Sequence, residues 1–356
     1  MNYDELLKSI NSENRRKIAF VVGNGINLYA AEQLRRSKDI GWLGLLKKLI
    51  KKYELPIDDK DKNFPNITLP ELANILELNI MKANNRGYKD SIKELKNEMI
   101  CLIKKYMEDE LKSADVYNNF LYFAEKNDIP IITTNFDGLL SSEKYKEIKL
   151  NFTDEKGLFK SNANYNWNYC YTNPPEIKNL NSDNYYDIIQ GFGVWHIHGN
   201  IEHSLSLKFG LDDYINCTSK VKDLISNHNK KQEEKYKPLF SFRKEDDDTN
   251  WKGKNTLFDI FFKRYLIFIG LSLNSDEVFL RWLLMQRAKY LYNKKPNFNI
   301  NNEYSGSFVY CTRDDNNCIQ DNNRFDENSA ETAFFKSCGI DLLGVDDYKD
   351  VYESFT

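Results

Sequence analysis

The sequence predicts an α/β fold in which a mainly parallel, Rossmann-like sheet is covered by helices on both faces. The first observation is a series of short apolar runs, each ending in a turn that contains Gly or Asn. The second is that helical patterns separate these runs, as expected for strands joined by crossover helices. The third is that 356 residues are enough to bury a large core. We therefore expect one domain with insertions over 1–356.

The segment 18–27 is the element around which this prediction is organised. Its apolar first half predicts a buried strand, and the tight turn that follows contains Gly23, Asn24 and Gly25. Glycines permit positive φ and let backbone N–H groups approach an anion, which the positive end of a following helix also favours. The dehydrogenase fingerprint would place a small residue where this chain has Leu28. An ordinary strand-to-helix turn is the alternative interpretation.

The first third of the chain is otherwise predicted to be helical. Residues 2–13 have the pattern of a short amphipathic helix, and 42–50 form a helix with a broad apolar side. No strand signal interrupts the region from about 54 to 128, which we interpret as a helical insertion between the first two strands. The helices predicted within it are 69–81, 88–107 and 114–126.

The middle of the chain alternates strands with long polar segments. Apolar runs predict strands at 129–134 and 193–200, and a further short strand is predicted at 205–209. Residues 141–190 are predicted to be a long loop or irregular insertion, of a length typical of a lid. The polar segment 218–256 is predicted to be a surface helix followed by a loop.

The last third of the chain completes the predicted sheet. Residues 265–270 form a buried apolar run, and Ser275 is the expected N-cap of the helix that follows. Two short strands are predicted at 308–311 and 339–343, and a helix at 329–337 precedes the second. This order of elements is typical of a parallel sheet covered on both faces.

Composition excludes several classes of function. Fifty basic residues against 53 acidic ones give a net charge of −3, so no global field recruits nucleic acid. None of the six cysteines forms a Cys-x-x-Cys pair, and no pair of histidines has metal spacing on a predicted helix, so we expect no metal site. The chain shows no export signal and no apolar run long enough to span a membrane, which predicts a cytoplasmic protein.

Four strand ends carry polar residues or glycines that could form a ligand site, because the carboxyl ends of parallel strands meet at one edge of the sheet. Each residue alone could instead be a turn former or a structural side chain. His196 is expected on the same face as His198, with either a direct or a structural role. The candidate residues are Gly23, Asn24, Gly25 and Asn27, then Thr134, Asn135 and Asp137, then His198, and finally Gly270, Ser272 and Asp276.

Together these motifs resemble the sirtuin-like superfamily, in particular the SIR2-like NAD-consuming proteins of bacterial anti-phage defence. The resemblance spans 21 to about 343. Gly-Asn-Gly-Ile-Asn at 23–27 resembles the family's pyrophosphate motif, Thr-Thr-Asn-Phe-Asp at 133–137 the motif beside the nicotinamide ribose, His-Gly at 198–199 the catalytic turn, and Gly-Leu-Ser at 270–272 the segment that holds the adenosine ribose.

The resemblance implies an NAD+ glycohydrolase that cleaves the nicotinamide–ribose bond and depletes NAD+ in abortive infection. In this interpretation His198 is the general base, Asn135 orients the ribose hydroxyls or the water, and Asp137 stabilises the cation or fixes Asn135. NAD+ itself is held by the remaining candidates. These are Gly23, Asn24, Gly25, Asn27, Thr134, Gly270, Ser272 and Asp276.

Differences from the family pattern indicate which branch of the sirtuin-like superfamily the chain resembles. Deacylating sirtuins carry a four-cysteine zinc module and a Gly-Ile-Pro-Asp-Phe-Arg segment, and this chain has neither, so deacylation is disfavoured. The segments 42–46 and 272–276 are more similar to the defence branch, whose members are often oligomers. A partner protein, such as a HerA-type ATPase, or a phage component is then the expected trigger. The alternatives are a regulatory module that binds NAD or ADP-ribose without cleaving it, and an assembly subunit.

Overall fold

An eight-stranded sheet forms the centre of the protein in a computed structural model. The model describes residues 5, 6, 8, 18–37, 39–55, 67–84, 87–141, 145–149, 169–172, 191–226, 239, 251, 253, 256–294, 305–312 and 325–355. Within these residues the strands are β1 (Ile18–Val22), β2 (Ile131–Thr133), β3 (Lys146–Lys149), β4 (Tyr169–Thr172), β5 (Val194–His196), β6 (Tyr265–Ile269), β7 (Gly306–Cys311) and β8 (Ile340–Val345).

The sheet has the order β3-β4-β5-β2-β1-β6-β7-β8. Strand β1 is central and pairs in parallel with β2 and β6, and β5, β7 and β8 continue the parallel sheet outward. Strands β3 and β4 form an antiparallel extension beside β5. The protein is therefore α/β with a mainly parallel, Rossmann-like sheet, which confirms the predicted fold class.

Helices cover the sheet on both sides. In the described residues they are α1 (Gly25–Gln33), α2 (Trp42–Lys52), α3 (Leu69–Asn84), α4 (Tyr88–Ile103), α5 (Asp115–Lys126), α6 (Leu211–Ser226), α7 (Leu257–Lys263), α8 (Val278–Lys294), α9 (Ala330–Ser337) and α10 (Tyr348–Glu353). A π-helical turn, Lys104–Glu108, and a single α-helical turn, Asp109–Leu111, continue α4 toward α5. None of the helices described combines the length and apolar character needed to cross a bilayer.

The two faces of the sheet bury separate apolar clusters because side chains alternate along each strand. Phe20 and Val22 of β1 pack with residues of α1–α5 and α10. Ala19 and Val21 face the opposite side and pack with residues of α6–α9. The predicted helices between 69 and 126 thus contribute to the core on one face only.

Four local predictions need correction. The strand predicted at 205–209 is wrong, because Ser204–Ser206 forms a 3-10 turn that hydrogen-bonds within its own loop. The segment 141–190 contains β3 and β4, so it is not wholly irregular. Helix α6 begins before the predicted insertion at 218–256, and its apolar side packs on the sheet. Ser275 lies in a turn and does not cap α8, which begins at Val278.

Two further predictions concern the position of His198 and the segments that lie mostly outside the described residues. Strand β5 ends at His196, so strand alternation does not place His198, which lies in the following turn. The helix predicted over 2–13 falls mostly outside the described residues, as do most of 141–190 and of 227–255.

Candidate active site

The ends of β1, β2, β5 and β6 are neighbours at one edge of the sheet, which we call the carboxyl edge. Gly23 N–H donates to the carbonyl of Ile269 at 3.0 Å, and Gly25 N–H donates to that of Gly270 at 2.8 Å. The Asn135 carboxamide donates to the carbonyl of Gly23 at 3.3 Å. These bonds join three of the four predicted strand ends directly, and the parallel pairing of β2 with β5 brings in the fourth.

The glycines after β1 serve close packing more than anion binding. Neither Gly23 nor Gly25 has a positive φ, whereas Gly270 has a φ of 63°. A Cβ added at Gly25 would overlap Cα of Gly270, so glycine is needed for the two turns to approach. Because both amides already donate to carbonyls, the predicted anion cradle does not consist of these two N–H groups.

The amides of Asn24 and Ile26 remain as candidate anion donors at the start of α1. Among the described residues, neither amide has a hydrogen-bond acceptor. Asn24 occupies the N-cap position, and its side chain makes no capping bond to the helix. The partial positive charge of the nine-residue helix favours an anion at this end.

Asn27 is the centre of a buried polar network, which we call the Asn27 network. Its Nδ2 donates to Asp137 Oδ2 at 2.9 Å and to Asn24 Oδ1 at 3.0 Å, and its Oδ1 accepts from the Tyr117 hydroxyl at 2.9 Å. Asp137 Oδ1 accepts from the N–H of Leu139 at 3.1 Å. Burial raises the pKa of Asp137, while the Asn27 bond opposes that shift. In this geometry the side chains of Asp137 and Asn27 bind protein groups and join two loops.

His196 supports the backbone of Asn135. Its Nδ1 lies 2.9 Å from the carbonyl oxygen of Asn135, and its Nε2 lies 3.1 Å from both Ser141 Oγ and Asn200 Nδ2. The carbonyl can only accept, so Nδ1 carries the proton and the ring is neutral with both nitrogens occupied. Burial lowers the pKa of His196 to about 4. Of the two roles left open by the sequence, the structural one fits this geometry.

Asn135 itself follows β2 by two residues, just as His198 follows β5 by two residues. The parallel register pairs Thr133 with His196, which places the two turns side by side. Asn135 is buried, its N–H donates to Thr133 Oγ1 at 3.1 Å, and its Nδ2 is held by Gly23. Its Oδ1 accepts no hydrogen bond from the described residues. A fixed carboxamide with one open acceptor can orient a hydroxyl or a water.

His198 forms a pair with Glu277, a residue that sequence reasoning did not single out. The distance from His198 Nε2 to Glu277 Oε2 is 3.1 Å, and the two side chains are 2% and 13% exposed. Nδ1 of the same ring is buried without a hydrogen-bond partner in the described part of the chain. An imidazole with one nitrogen bound to a carboxylate and the other open is the arrangement of a general base.

Aromatic rings surround His198. The centroid of its ring lies 5.3 Å from that of Tyr214, 6.3 Å from Phe279 and 6.5 Å from Phe136. The ring of Trp42 lies 6.4 Å from that of Tyr214. Trp42 Nε1 and the Tyr214 hydroxyl are also buried without a partner among the described residues. Burial raises the pKa of Tyr214 well above its usual value, so its hydroxyl remains a neutral donor.

The remaining predicted binding residues have different environments. Asp276 Oδ1 accepts from the N–H of Leu69 at 2.9 Å, so this carboxylate fixes the start of α3 against the carboxyl edge. Ser272 is exposed at the end of β6 and remains available to a ligand. Thr134 is half-buried, and its N–H donates to the carbonyl of Val22 at 3.0 Å.

Glu277 was missed because the contact that matters spans the fold. It stands 79 residues after His198 in sequence, directly after the segment 272–276 that was compared with the family. A Glu that directly precedes a helix is also favoured by the positive end of the helix dipole, which gives it an ordinary structural explanation. The available signal was its position after the fourth strand end, at the same edge as His198.

Comparisons with known proteins do not identify a family for the chain. No protein-family model matches it, and no curated protein matches it at a significant level. Within the described residues, no group of three or more His, Cys, Asp or Glu side chains could hold a metal ion. The functional argument therefore depends on the residues at the carboxyl edge.

Proposed function

We propose that the chain is an NAD+ glycohydrolase whose active site lies at the carboxyl edge. The observation that carries the proposal is the His198–Glu277 pair, which leaves Nδ1 of a buried imidazole open, while the neighbouring turn holds the carboxamide of Asn135. The identity of the substrate is inferred from the motifs that resemble SIR2-like proteins, because the geometry alone indicates only a base and an orienting amide.

The proposed reaction hydrolyses one glycosidic bond. The bond between the nicotinamide nitrogen and C1′ of the ribose breaks, and its electron pair leaves with neutral nicotinamide. A water oxygen bonds to C1′ and gives its proton to His198 Nδ1, so that NAD+ and water yield ADP-ribose, nicotinamide and a proton. Asn135 Oδ1 accepts from the water or a ribose hydroxyl, and the Glu277 carboxylate stabilises positive charge that develops nearby.

Binding of the dinucleotide is assigned to the turns around this pair. The N–H groups of Asn24 and Ile26 at the start of α1 contact the pyrophosphate in the proposal, and Ser272 contacts the adenosine ribose. Gly23, Gly25 and Gly270 contribute by letting the two turns lie close together. Asn27, Asp137 and Asp276 act through their effect on the loops.

The proposed cellular role is depletion of NAD+ during abortive infection. This part follows from the resemblance to defence proteins, as do the homo-oligomer and the trigger, which is a partner such as a HerA-type ATPase or a phage component. Cells that express the chain together with its trigger should lose NAD+ and stop growing. The same cells should keep NAD+ when His198 or Asn135 is replaced.

The test measures nicotinamide release from NAD+ by purified protein. His198→Ala and Asn135→Ala should each reduce turnover by at least about 100-fold, the lower range for loss of general base catalysis. Circular dichroism and the unfolding midpoint should show a folded protein in both cases. Normal turnover in either variant would refute the mechanism. Binding of NAD+ without nicotinamide release would favour the regulatory module.

A further inference from the structure

The two nitrogens of His198 lie in different environments. Nε2 contacts the Glu277 carboxylate at 3.1 Å, whereas Nδ1 is buried and has no partner in the residues described. An ionised carboxylate can only accept a hydrogen bond, so the proton of the neutral ring belongs on Nε2. The lone pair is then on Nδ1. A buried nitrogen left unpaired destabilises the protein, and a bound donor would offset that cost.

We propose that Glu277 is a positioning residue for His198, which keeps the ring proton on Nε2 so that Nδ1 is the basic atom. This inference deepens the proposed NAD+ hydrolysis and depends on it for the identity of the reacting water. In the reaction Nδ1 takes the proton from that water, and the ring becomes an imidazolium. The negative charge of Glu277 then stabilises the imidazolium through the Nε2–H bond.

Hydrogen bonds fix the main chain at Glu277 and so limit where its carboxylate can lie. The Glu277 N–H donates to the carbonyl of Asn274 at 3.1 Å, and its own carbonyl accepts from Arg281 N–H at 2.9 Å. The preceding residue, Asp276, is bound to Leu69 at the start of α3. Because the Glu277 side chain is only 13% exposed, water screens its charge weakly. The pair is therefore built into the junction of β6, α8 and α3.

The neighbouring histidine, His196, has different hydrogen-bond partners and therefore the other tautomer. His196 donates from Nδ1 to a carbonyl, so its proton is on the opposite nitrogen from that assigned to His198. Both nitrogens of His196 are occupied, and it contacts no carboxylate in the described structure. The chain thus contains an internal reference for the tautomer, two residues from the proposed base.

Steady-state kinetics of three substitutions test this role. Glu277→Asp keeps the carboxylate, and Glu277→Gln keeps the shape but can donate to Nε2 and so favour the other tautomer. We expect kcat to fall by about 10- to 100-fold in Glu277→Gln and Glu277→Ala, with KM within about threefold, and to fall less in Glu277→Asp. A purely structural role predicts the opposite order, with the isosteric Gln as the mildest change.

Glu331→Gln is the matched control. Glu331 pairs with Arg281 on α8 at 2.9 Å, outside the proposed site, so its substitution should leave kcat unchanged. A wild-type kcat in both Glu277→Gln and Glu277→Ala would overturn the proposal. A decrease in Glu331→Gln as large as that in Glu277→Gln would also overturn it, because loss of any carboxylate near α8 would then suffice.

Nitrogen NMR gives a readout that does not require activity. The chain has four histidines, so the signals of His198 can be assigned by their loss in His198→Gln. At pH 8 the wild type should show a protonated Nε2 and an unprotonated Nδ1 at His198, and Glu277→Gln should shift protonation toward Nδ1. A protonated Nδ1 in the wild type would overturn the proposal even if the protein cleaves NAD+. If NAD+ is not cleaved but the tautomer is as expected, only the proposed reaction fails.

Discussion

Two polar regions at the same edge of the sheet differ in whether their buried polar atoms have hydrogen-bond partners. In the Asn27 network, the side chains of Asn27, Tyr117 and Asp137 all find buried partners. Around His198, three buried polar atoms have none among the described residues: His198 Nδ1, Trp42 Nε1 and the Tyr214 hydroxyl. The first region stabilises the fold, whereas the second keeps groups available at a cost in stability.

The comparison separates residues that the sequence grouped together. Asp137 and His198 both follow buried strands, and each was expected to be catalytic. The structure engages both oxygens of Asp137 with protein donors, while it leaves one nitrogen of His198 open. Position at the carboxyl edge therefore indicates where a site can be, and hydrogen-bond saturation indicates which residues can act in it.

Substitution of Asn27 should have the largest effect on stability. Asn27→Ala leaves the buried Asp137 and Tyr117 without their partner, so we expect the free energy of unfolding to fall by roughly 2–5 kcal/mol. Asn24 is half-buried, and Asn24→Ala removes only its one bond to Asn27 Nδ2, which keeps its bond to Asp137, so the loss should be about 1 kcal/mol or less. Urea denaturation measures both. Equal losses of unfolding free energy in the two variants would show that the bonds of Asn27 to Asp137 and Tyr117 do not stabilise the fold.

The second-largest effect should be a dependence of the His196 contribution to the free energy of unfolding on pH. Its folded pKa is about 4, below the ordinary 6.5, so its contribution is full above pH 6.5 and is lost as the pH falls toward 4, where the unfolded chain binds the extra proton. The difference in unfolding free energy between wild type and His196→Gln should shrink by roughly 2–3 kcal/mol from pH 7 to pH 4. Urea denaturation at several pH values measures it. A constant difference would contradict a buried neutral ring.

A glycine substitution should have the smallest effect of the three. Gly25→Ala places a methyl group against the backbone of Gly270, and we expect a loss of about 1–3 kcal/mol. Gly87→Ala meets no atom within 4 Å and should cost less than about 1 kcal/mol. Thermal unfolding compares the two. If both alanines cost the same, close approach of the two turns is not the reason for glycine.

Much of the fold could be predicted because its central strands are continuous apolar runs. Residues 18–22 and 266–269 are buried, and a short continuous apolar run closed by a glycine turn is typical of a parallel strand covered on both faces. Strands β3 and β4 were missed because each has only four residues, too short a run to show periodicity within a long polar segment. The strand predicted at 205–209 failed because Leu207 and Phe209 join the core from a loop, whereas Leu205 is exposed.

The candidate site was predicted less completely than the fold. The sequence indicated His198 and Asn135 through their positions after buried strands, and the structure places their turns side by side. For Glu277 the sequence offered only a position after the fourth strand end, because the contact with His198 depends on how the start of α8 packs against the turn after β5. Nor could it show that the amides of Gly23 and Gly25 are used by the turn after β6, since that pairing is also tertiary.

The most direct test of the central claim is the identity of the products that purified protein forms from NAD+. Mass spectrometry should detect nicotinamide and ADP-ribose in equal amounts, and neither should form with His198→Ala. A cyclic product lighter by one water would contradict attack by water activated at His198. Intact NAD+, both with purified protein and in cells that express the chain with its trigger, would contradict the proposed activity itself.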